Sequence, residues 1–194
     1  MRLTRIGILI FTAAAVAGPL YTVERYSPIS DVISLLGAQN TPNNFIMVAG
    51  FLALSIGIIV DGVRQFSKPT VPFIAFGLCM GLAGLVAHRP LSPDVAFSLF
   101  AHQTHSALAT LAGIFITVGL LWQATRQSLS RPRAIAIALA ALCFGLPLCM
   151  LAFPGIQGFI QRLMYFLMFI WLWTCYPLTN LTTKEPKATG EPLP

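Results

Sequence analysis

The chain has 194 residues, of which 56% are hydrophobic and only 9% are charged. Ordinary soluble domains carry about 25% charged residues. This chain therefore has too few charges to cover a water-exposed surface, and lipid must solvate much of it. The net charge of +6 does not indicate nucleic-acid binding. The basic residues lie scattered at the ends of apolar runs, where they are typical topology signals.

Six apolar stretches have roughly the 20 residues that a helix needs to cross the hydrocarbon. They cover residues 6–23, 44–63, 71–88, 100–122, 134–152 and 159–178. Ala15-Val16-Ala17 resembles a signal-cleavage site, but the run continues to Val23 and favours an uncleaved first helix. Backbone groups in lipid must pair internally, and these stretches lack the alternation of barrel strands. The sequence predicts an all-α, polytopic membrane helix bundle as one domain over residues 1–181.

The distribution of Lys and Arg predicts the orientation of this bundle. If the odd-numbered helices start inside, nine basic residues lie on the inner side, and Arg25, Arg89 and Arg162 lie on the outer side. Because loops rich in Lys and Arg stay in the cytoplasm, both termini are expected there. Residues 182–194 are polar and contain three prolines, which predicts a disordered cytoplasmic tail.

The first outer loop carries an amphipathic pattern over residues 28–37. Its apolar spacing predicts a short helix lying in the membrane interface. Ser30 is placed to cap that helix and Gly37 to end it. Asp31 and Ser34 would share its polar face, because residues three apart on a helix are neighbours.

All three histidines lie on the outer side within 18 residues, from His88 to His105. His102 and His105 are three apart and can face the same direction. Together with Asp31 they are candidate acid–base catalysts and candidate ligands for zinc or another divalent metal. A haem site is disfavoured, because haem histidines usually come from two helices at one depth. The alternative is that these residues only cap helices and lie at the headgroup level.

The sixth helix begins with a second polar group, Gln161 and Arg162. A guanidinium that enters the bundle needs a partner, so a carboxylate or an anionic ligand is expected. Arg162 is therefore predicted to bind a substrate headgroup, together with Gln161, Ser34 and Asn44, which opens the second helix.

Two intramembrane features have ordinary structural interpretations. Asp61 is the only acid within the apolar stretches, and its spacing from Arg64 predicts an ion pair, with a proton relay as the alternative. Gly77 and Gly81 form a Gly-x-x-x-Gly pair that would let a neighbouring helix approach closely.

Several short motifs resemble an uncharacterised family of bacterial six-helix membrane proteins, a domain of unknown function in the Frag1-like group. The matching residues are Tyr26-Ser27-Pro28-Ile29-Ser30-Asp31, Leu36-Gly37, Asn44, Pro90 to Asp94, His102, His105, Ala107, Gln161-Arg162 and Trp171. The chain departs from the family before Asp94, where the family tends to have Phe-Pro. The resemblance implies six helices, a polar outer site and a bacterial inner membrane. Frag1-like relatives are associated with remodelling of lipid anchors, which implies a lipid ligand.

The sequence is compatible with three functions and does not name a reaction. The first hypothesis is an enzyme or binding protein for a lipid or lipid-linked anion at the outer leaflet. The second is a non-catalytic subunit or scaffold of a membrane complex, with a membrane-protein partner. The third is a small transporter, which the absence of a visible inverted repeat disfavours. Membrane lipids are the expected partners in each case.

Overall fold

The computed structural model describes residues 2–127 and 130–176, which are helical and connected by short loops. The long helices are α1 (Leu3–Tyr21), α2 (Phe45–Arg64), α3 (Val71–Leu85), α4 (Leu99–Arg126), α5 (Ser130–Ala152) and α6 (Gln157–Cys175). Three short 3-10 helices cover Ile33–Gly37, Lys68–Thr70 and Pro154–Ile156. Six segments built on the long helices are long and apolar enough to cross a membrane. The predicted all-α membrane bundle is confirmed, while the predicted tail over 182–194 lies outside the described residues.

Consecutive helices pack against each other, so the chain runs up and down through the bundle. Nη1 of Arg2 donates to the carbonyl of Tyr176 at 2.7 Å, and Nη2 of Arg5 donates to the carbonyl of Trp173 at 2.9 Å. The start of α1 and the end of α6 therefore lie at the same end of the bundle, called here the terminal end. The opposite end, called the loop end, holds the connections over residues 22–44, 86–98 and 153–156.

α6 joins the two sides of the bundle through aromatic contacts. The Phe11 ring of α1 lies 5.0 Å from the ring of Tyr165, and the Phe73 ring of α3 stacks on Trp171 at 5.1 Å. Large apolar side chains on the outer surface, such as Leu20, are exposed because lipid rather than water is their solvent. The buried core and the apolar exterior together are those of a membrane bundle.

Most helix bounds differ from the predicted ones by a few residues. α1 starts and ends earlier, and α3 stops at Leu85 instead of residue 88. α4 begins at Leu99, where Oγ of Ser98 accepts a hydrogen bond from the backbone N of Ala101 at 3.3 Å. It continues to Arg126, beyond the predicted residue 122, because Gln123 and Ala124 stay buried in the bundle.

The predicted interfacial helix in the first loop is wrong in type, length and burial. Only Ile33–Gly37 is helical, as a 3-10 helix whose five residues are all buried, and Ser30 does not cap it. Ser34 consequently does not share an exposed polar face with Asp31. The apolar residues face inward. The side chain of Leu36 packs directly on Gly18 of α1, in the space that a Cβ at residue 18 would need. The apolar pattern of this segment therefore reflects burial against the helix bundle, not contact with the membrane surface.

The predicted ion pair between Asp61 and Arg64 is also wrong. The carboxylate of Asp61 is buried and accepts its hydrogen bonds from Thr4 of α1, while Arg64 is exposed. The expectation for the glycine pair is confirmed within the bundle. Oγ of Ser55 in α2 donates to the carbonyl of Gly77 at 2.7 Å, which brings α2 and α3 close together.

Candidate functional site at the loop end

Two polar groups lie at the loop end. The arginine cluster consists of Tyr26, Asp31, Gln161 and Arg162, and the histidine cluster consists of His88, His102 and His105. The first brings the α1–α2 loop onto the start of α6, and the second joins the end of α3 to the start of α4. The sequence-predicted site residues are divided between them.

Arg162 holds the first loop onto α6. Its Nη1 donates to the carbonyls of Pro28 at 2.8 Å, Asp31 at 3.0 Å and Gly158 at 3.0 Å. Its Nη2 donates to the hydroxyl of Tyr26 at 2.6 Å. Within the described residues none of these hydrogen bonds goes to a carboxylate. The predicted carboxylate partner of Arg162 is thus replaced by four uncharged oxygens, and the alternative partner, an anionic ligand, stays a prediction.

Tyr26 is neutral in this arrangement. Burial raises the pKa of Tyr26 above its ordinary value, and the hydrogen bond and positive charge of Arg162 offset only part of that rise. A neutral phenol accepts from the guanidinium and still has a proton to donate. Its hydroxyl lies 3.4 Å from the carbonyl oxygens of Asp31 and Val32. Tyr26 therefore joins Arg162 to the backbone of the loop.

Asp31 closes a tight turn with Ser27. Its Oδ2 accepts from the backbone N of Ser27 at 2.7 Å, and its own N donates to the carbonyl of Ser27 at 2.7 Å. The backbone of Asp31 lies directly against Gly158, where an added Cβ would overlap it. The backbone N of Phe159 donates to the carbonyl of Ile29 at 2.9 Å. One Asp31 oxygen thus has a structural role, and the turn depends on a glycine in α6.

The other predicted binding residues shape the same loop. Oε1 of Gln161 accepts from the backbone N of Ile33 at 2.6 Å, at the start of the 3-10 helix. Nδ2 of Asn44 donates to the carbonyl of Ala38 at 3.0 Å. Ser34 is buried within the 3-10 helix between these two contacts. Their roles in ligand binding stay predictions.

The three histidine rings are packed together. The centre of the His88 ring lies 4.4 Å from that of His102 and 5.2 Å from that of His105. Nδ1 of His105 lies 2.8 Å from the carbonyl of Ala83 and 2.9 Å from that of Val86. Because both partners are acceptors, Nδ1 carries a proton.

Nδ1 of His88 also carries a proton, and the ring of His88 is uncharged at neutral pH. Its Nδ1 lies 2.9 Å from the carbonyl of Arg89. The pKa of His88 is lowered to about 4, chiefly by burial and also by the nearby His105, His102 and Arg89, and the backbone hydrogen bond offsets only part of this decrease. Nδ1 of His102 is buried with no hydrogen-bond partner in the described part of the chain.

The structure does not bring Asp31 into the histidine cluster. Within residues 2–127 and 130–176, no group of three or more His, Cys, Asp or Glu side chains is arranged to hold a metal ion. The rings of His102 and His105 each lie against the ring of His88. The described geometry does not assemble them with Asp31 into a zinc or other divalent metal site.

Sequence reasoning missed the residue that connects the two loops. Nε2 of Gln39 donates to the carbonyls of Ala87 at 3.0 Å and Ser98 at 3.2 Å, and its Oε1 accepts from the N of Ser98 at 2.8 Å. The backbone N of Gln39 also donates to the carbonyl of His88 at 2.8 Å. A single glutamine in a loop has no local pattern that would signal these contacts.

Two cavities open beside α6, and Tyr165 contributes to the walls of both. The α1–α6 groove has a volume of about 200 Å³ and is lined by Phe11, Thr12, Ala15, Val16, Ile33, Arg162, Tyr165, Phe166 and Phe169. The α3–α6 cavity has a volume of about 350 Å³ and is bounded by α3, α4, α5 and α6. Gln161 lines the second cavity, so the arginine cluster reaches both.

The family comparison places the chain among proteins of unknown function. No curated protein sequence and no solved structure matches it. The family model described as "Protein of unknown function (DUF998)" matches residues 5–175. That match covers nearly the whole of the six-helix bundle and both polar clusters. The chain belongs to the DUF998 family.

Proposed function

We propose that this protein binds an anionic membrane lipid at the loop end, which faces the outer side of a bacterial inner membrane. The observation that carries the proposal is the position of Arg162 in the wall of the α1–α6 groove, where its hydrogen bonds to the described residues all go to uncharged oxygens. The lipid phosphate would contact Arg162, and an acyl chain would lie along the groove.

The charge of Arg162 supports a negatively charged ligand. A guanidinium has five N–H donors. Nε and one hydrogen of Nη2 make no hydrogen bond within the described residues, whereas Nη1 and the other Nη2 hydrogen hold the loop. A positive charge at the membrane edge is stabilised by a phosphate, which Arg binds well. The hydrogen bonds to the loop fix the guanidinium before a ligand arrives.

The walls of the groove support a lipid rather than a soluble anion. Beyond Arg162 the groove is lined mainly by apolar side chains of α1 and α6. Val16 is 75% exposed and Phe166 is 62% exposed, so the groove is open to the surrounding acyl chains. An amphiphile with an anionic headgroup matches both the charge and the apolar walls.

The proposed orientation rests on charge distribution. Arg2, Arg5, Arg64 and Lys68 belong to the terminal end, and Arg126, Arg131 and Arg133 flank the α4–α5 connection at that end. The loop end has Arg25, Arg89 and Arg162. The excess of basic residues at the terminal end supports a cytoplasmic location for that end. The resemblance to Frag1-like proteins supports a lipid ligand and a bacterial source.

Catalysis by the polar residues of the loop end is a prediction separate from the proposed lipid binding. Asp31, His102 and His105 stay predicted acid–base groups, and neutral imidazoles are suited to accept protons. The scaffold and transporter alternatives also stay predictions. The geometry supports lipid binding best, because the charge of Arg162 and the apolar groove adjoin.

The proposal is tested by thermal unfolding of the full-length protein in a neutral detergent, with added phosphatidylglycerol or phosphatidylcholine. Phosphatidylglycerol should raise the unfolding temperature of the unmodified protein more than phosphatidylcholine does. Arg162→Gln should abolish this difference. Arg25→Gln removes one positive charge from the same end, where Nη2 of the exposed Arg25 donates to Oγ of Ser92, and this variant should retain the difference.

A second variant separates ligand binding from the structural role of Arg162. Val16→Trp narrows the groove from an exposed position and leaves the hydrogen bonds of Arg162 in place. It should reduce the stabilisation by phosphatidylglycerol without lowering stability in detergent alone. Full phosphatidylglycerol-specific stabilisation of both the Arg162→Gln and Val16→Trp proteins would refute the proposal.

A further inference from the structure

We propose a second ligand site, distinct from the groove at Arg162: the α3–α6 cavity binds the ring of a lipid quinone. The cavity has a volume of about 350 Å³, within the range of about 300–1,000 Å³ that is typical of small-molecule sites. Its occupant would be neutral, carry oxygen acceptors and have an apolar tail. Each of these properties follows from the lining.

The cavity is apolar and opens toward the bilayer. Ile114 of α4 is 50% exposed and Leu148 of α5 is 53% exposed, and both line it. A ligand tail can therefore leave between these helices into the surrounding lipid. Among the described residues, those that line the cavity include no charged side chain. An ionised headgroup would lose its hydration here without gaining a countercharge, which excludes the anionic lipids proposed for the groove.

The hydroxyl of Tyr165 faces this cavity without a strong acceptor. Tyr165 is only 9% exposed, and its ring packs on Phe11 at 5.0 Å and Phe169 at 5.5 Å, on the side of the groove. Its hydroxyl lies on the other side, 3.7 Å from the sulfur of Met80, the one hydrogen-bond partner found for it among the described residues. A thioether is a weak acceptor. A ligand carbonyl would supply the stronger acceptor that a buried tyrosine usually has.

Gln161 offers a second donor on the same helix. Its Oε1 is occupied by the backbone N–H of Ile33 at 2.6 Å, and because that group can only donate, the amide presents its oxygen there. The NH₂ group of Gln161 makes no hydrogen bond within residues 2–127 and 130–176, and Gln161 lines the cavity. Residues 161 and 165 are one helical turn apart, with Cβ atoms separated by about 5–6 Å.

Either donor can bind a carbonyl oxygen of a neutral ligand in this cavity. The remaining lining favours an aromatic or quinonoid ring over an acyl chain, because four methionines contribute polarisable thioethers. These are Met80, Met150, Met164 and Met168. Methionine sulfur makes favourable contacts with ring edges. A quinone ring with a polyisoprenyl tail has the neutral charge, the acceptors and the apolar extension that this cavity fits.

The test is calorimetric titration of the full-length protein in detergent with a short-chain ubiquinone, and with a short-chain diacylglycerol as the neutral ester control. The quinone should bind and the diacylglycerol should not. Tyr165→Phe removes one hydroxyl and should weaken quinone binding about threefold to tenfold, the range of one hydrogen bond. Tyr21→Phe is its control, because that hydroxyl donates to the carbonyl of Ala14, away from the cavity.

Two glycines provide a matched pair that tests the cavity itself. A Cβ at Gly113 or at Gly145 would meet no atom within 4 Å, so both positions accept a larger residue. Gly113 lines the cavity and Gly145 does not. Gly113→Leu should abolish quinone binding, and Gly145→Leu should leave it unchanged.

Three results would overturn the quinone proposal: no quinone binding to the unmodified protein, equal binding by the diacylglycerol, or unchanged binding after Gly113→Leu. None of these variants alters Arg162 or the α1 side of the groove. Phosphatidylglycerol stabilisation is measured separately, so failure of one proposal is distinguishable from failure of the other.

Discussion

Asp61 caps the first turn of α1 from the last turn of α2. Its Oδ2 accepts from the backbone N of Thr4 at 2.8 Å and from Oγ1 of Thr4 at 2.8 Å. The first N–H groups of a helix have no partner within the helix, and its N-terminus is the positive end of the dipole. A buried carboxylate at this position therefore compensates both. Oγ1 of Thr4 also lies 3.1 Å from the carbonyl of Gly57, which ties the two helices together.

Asp61→Asn should lower the free energy of unfolding by about 1–2 kcal/mol. The amide keeps the size of the side chain but loses the charge that strengthens hydrogen bonds to the helix terminus. Chemical unfolding in detergent would measure the change, with the exposed Asp94→Asn as a control expected to stay within about 0.5 kcal/mol. If Asp61→Asn is as stable as the control, the charge of Asp61 does not stabilise α1.

The spans were predictable because apolar length is a property of the local sequence. The partner of Asp61 was not, because Thr4 lies 57 positions away. Local spacing instead favoured Arg64, which stays exposed. The prediction of an interfacial helix before α2 was wrong for a similar reason. Its apolar periodicity was real, but periodicity alone does not distinguish a membrane surface from the underside of a loop packed on Gly18.

The polar site, like the fold, was only partly predictable from the sequence. The histidines were expected on one side of the membrane because they lie within 18 residues, and the rings of His102 and His105 both pack against His88. Arg162 was expected to meet a carboxylate or an anionic ligand, and the protein groups that hold it include two backbone carbonyls more than 130 residues away. Backbone acceptors carry no side-chain signature, so no sequence pattern indicates such contacts.

Gly158→Ala should destabilise the protein by about 1–3 kcal/mol, because its Cβ would overlap the backbone of Asp31. The loop would have to move away from α6 and lose contacts with Arg162. Thermal unfolding measures the stability, and protease cleavage within residues 26–32 measures loop release. Gly155→Ala is the matched control, because its Cβ would meet no atom within 4 Å. Equal behaviour of the two variants would show that the loop does not depend on this close approach.

Acid should weaken the fold through His88. Its pKa is lowered from 6.5 to about 4 in the folded protein. The unfolded state therefore binds the proton more readily, and stability that is complete above pH 6.5 is lost progressively as the pH falls toward 4. Comparing unfolding temperatures between pH 7.5 and pH 5 should show a smaller decrease for His88→Gln than for the unmodified protein. An identical decrease would assign the pH dependence to other groups.

The close crossing of α1 and α2 at Gly57 predicts another damaging glycine substitution. A Cβ at Gly57 would lie 2.7 Å from the carbonyl oxygen of Leu3 and 2.9 Å from Cα of Thr4, both backbone atoms of α1. Backbone cannot yield as a flexible side chain does, so Gly57→Ala should push α1 away and weaken the Asp61–Thr4 contact. The expected loss is about 1–3 kcal/mol of unfolding free energy.

Gly145→Ala is the matched control for Gly57→Ala, because it lies in a helix and its Cβ would have free space. It should be neutral or stabilising by up to about 1 kcal/mol, the difference in helix propensity between alanine and glycine. Combining Gly57→Ala with Asp61→Asn should give less than the sum of the two losses, because the first change already weakens the contact that the second removes. Strict additivity would show that the crossing and the helix cap are independent.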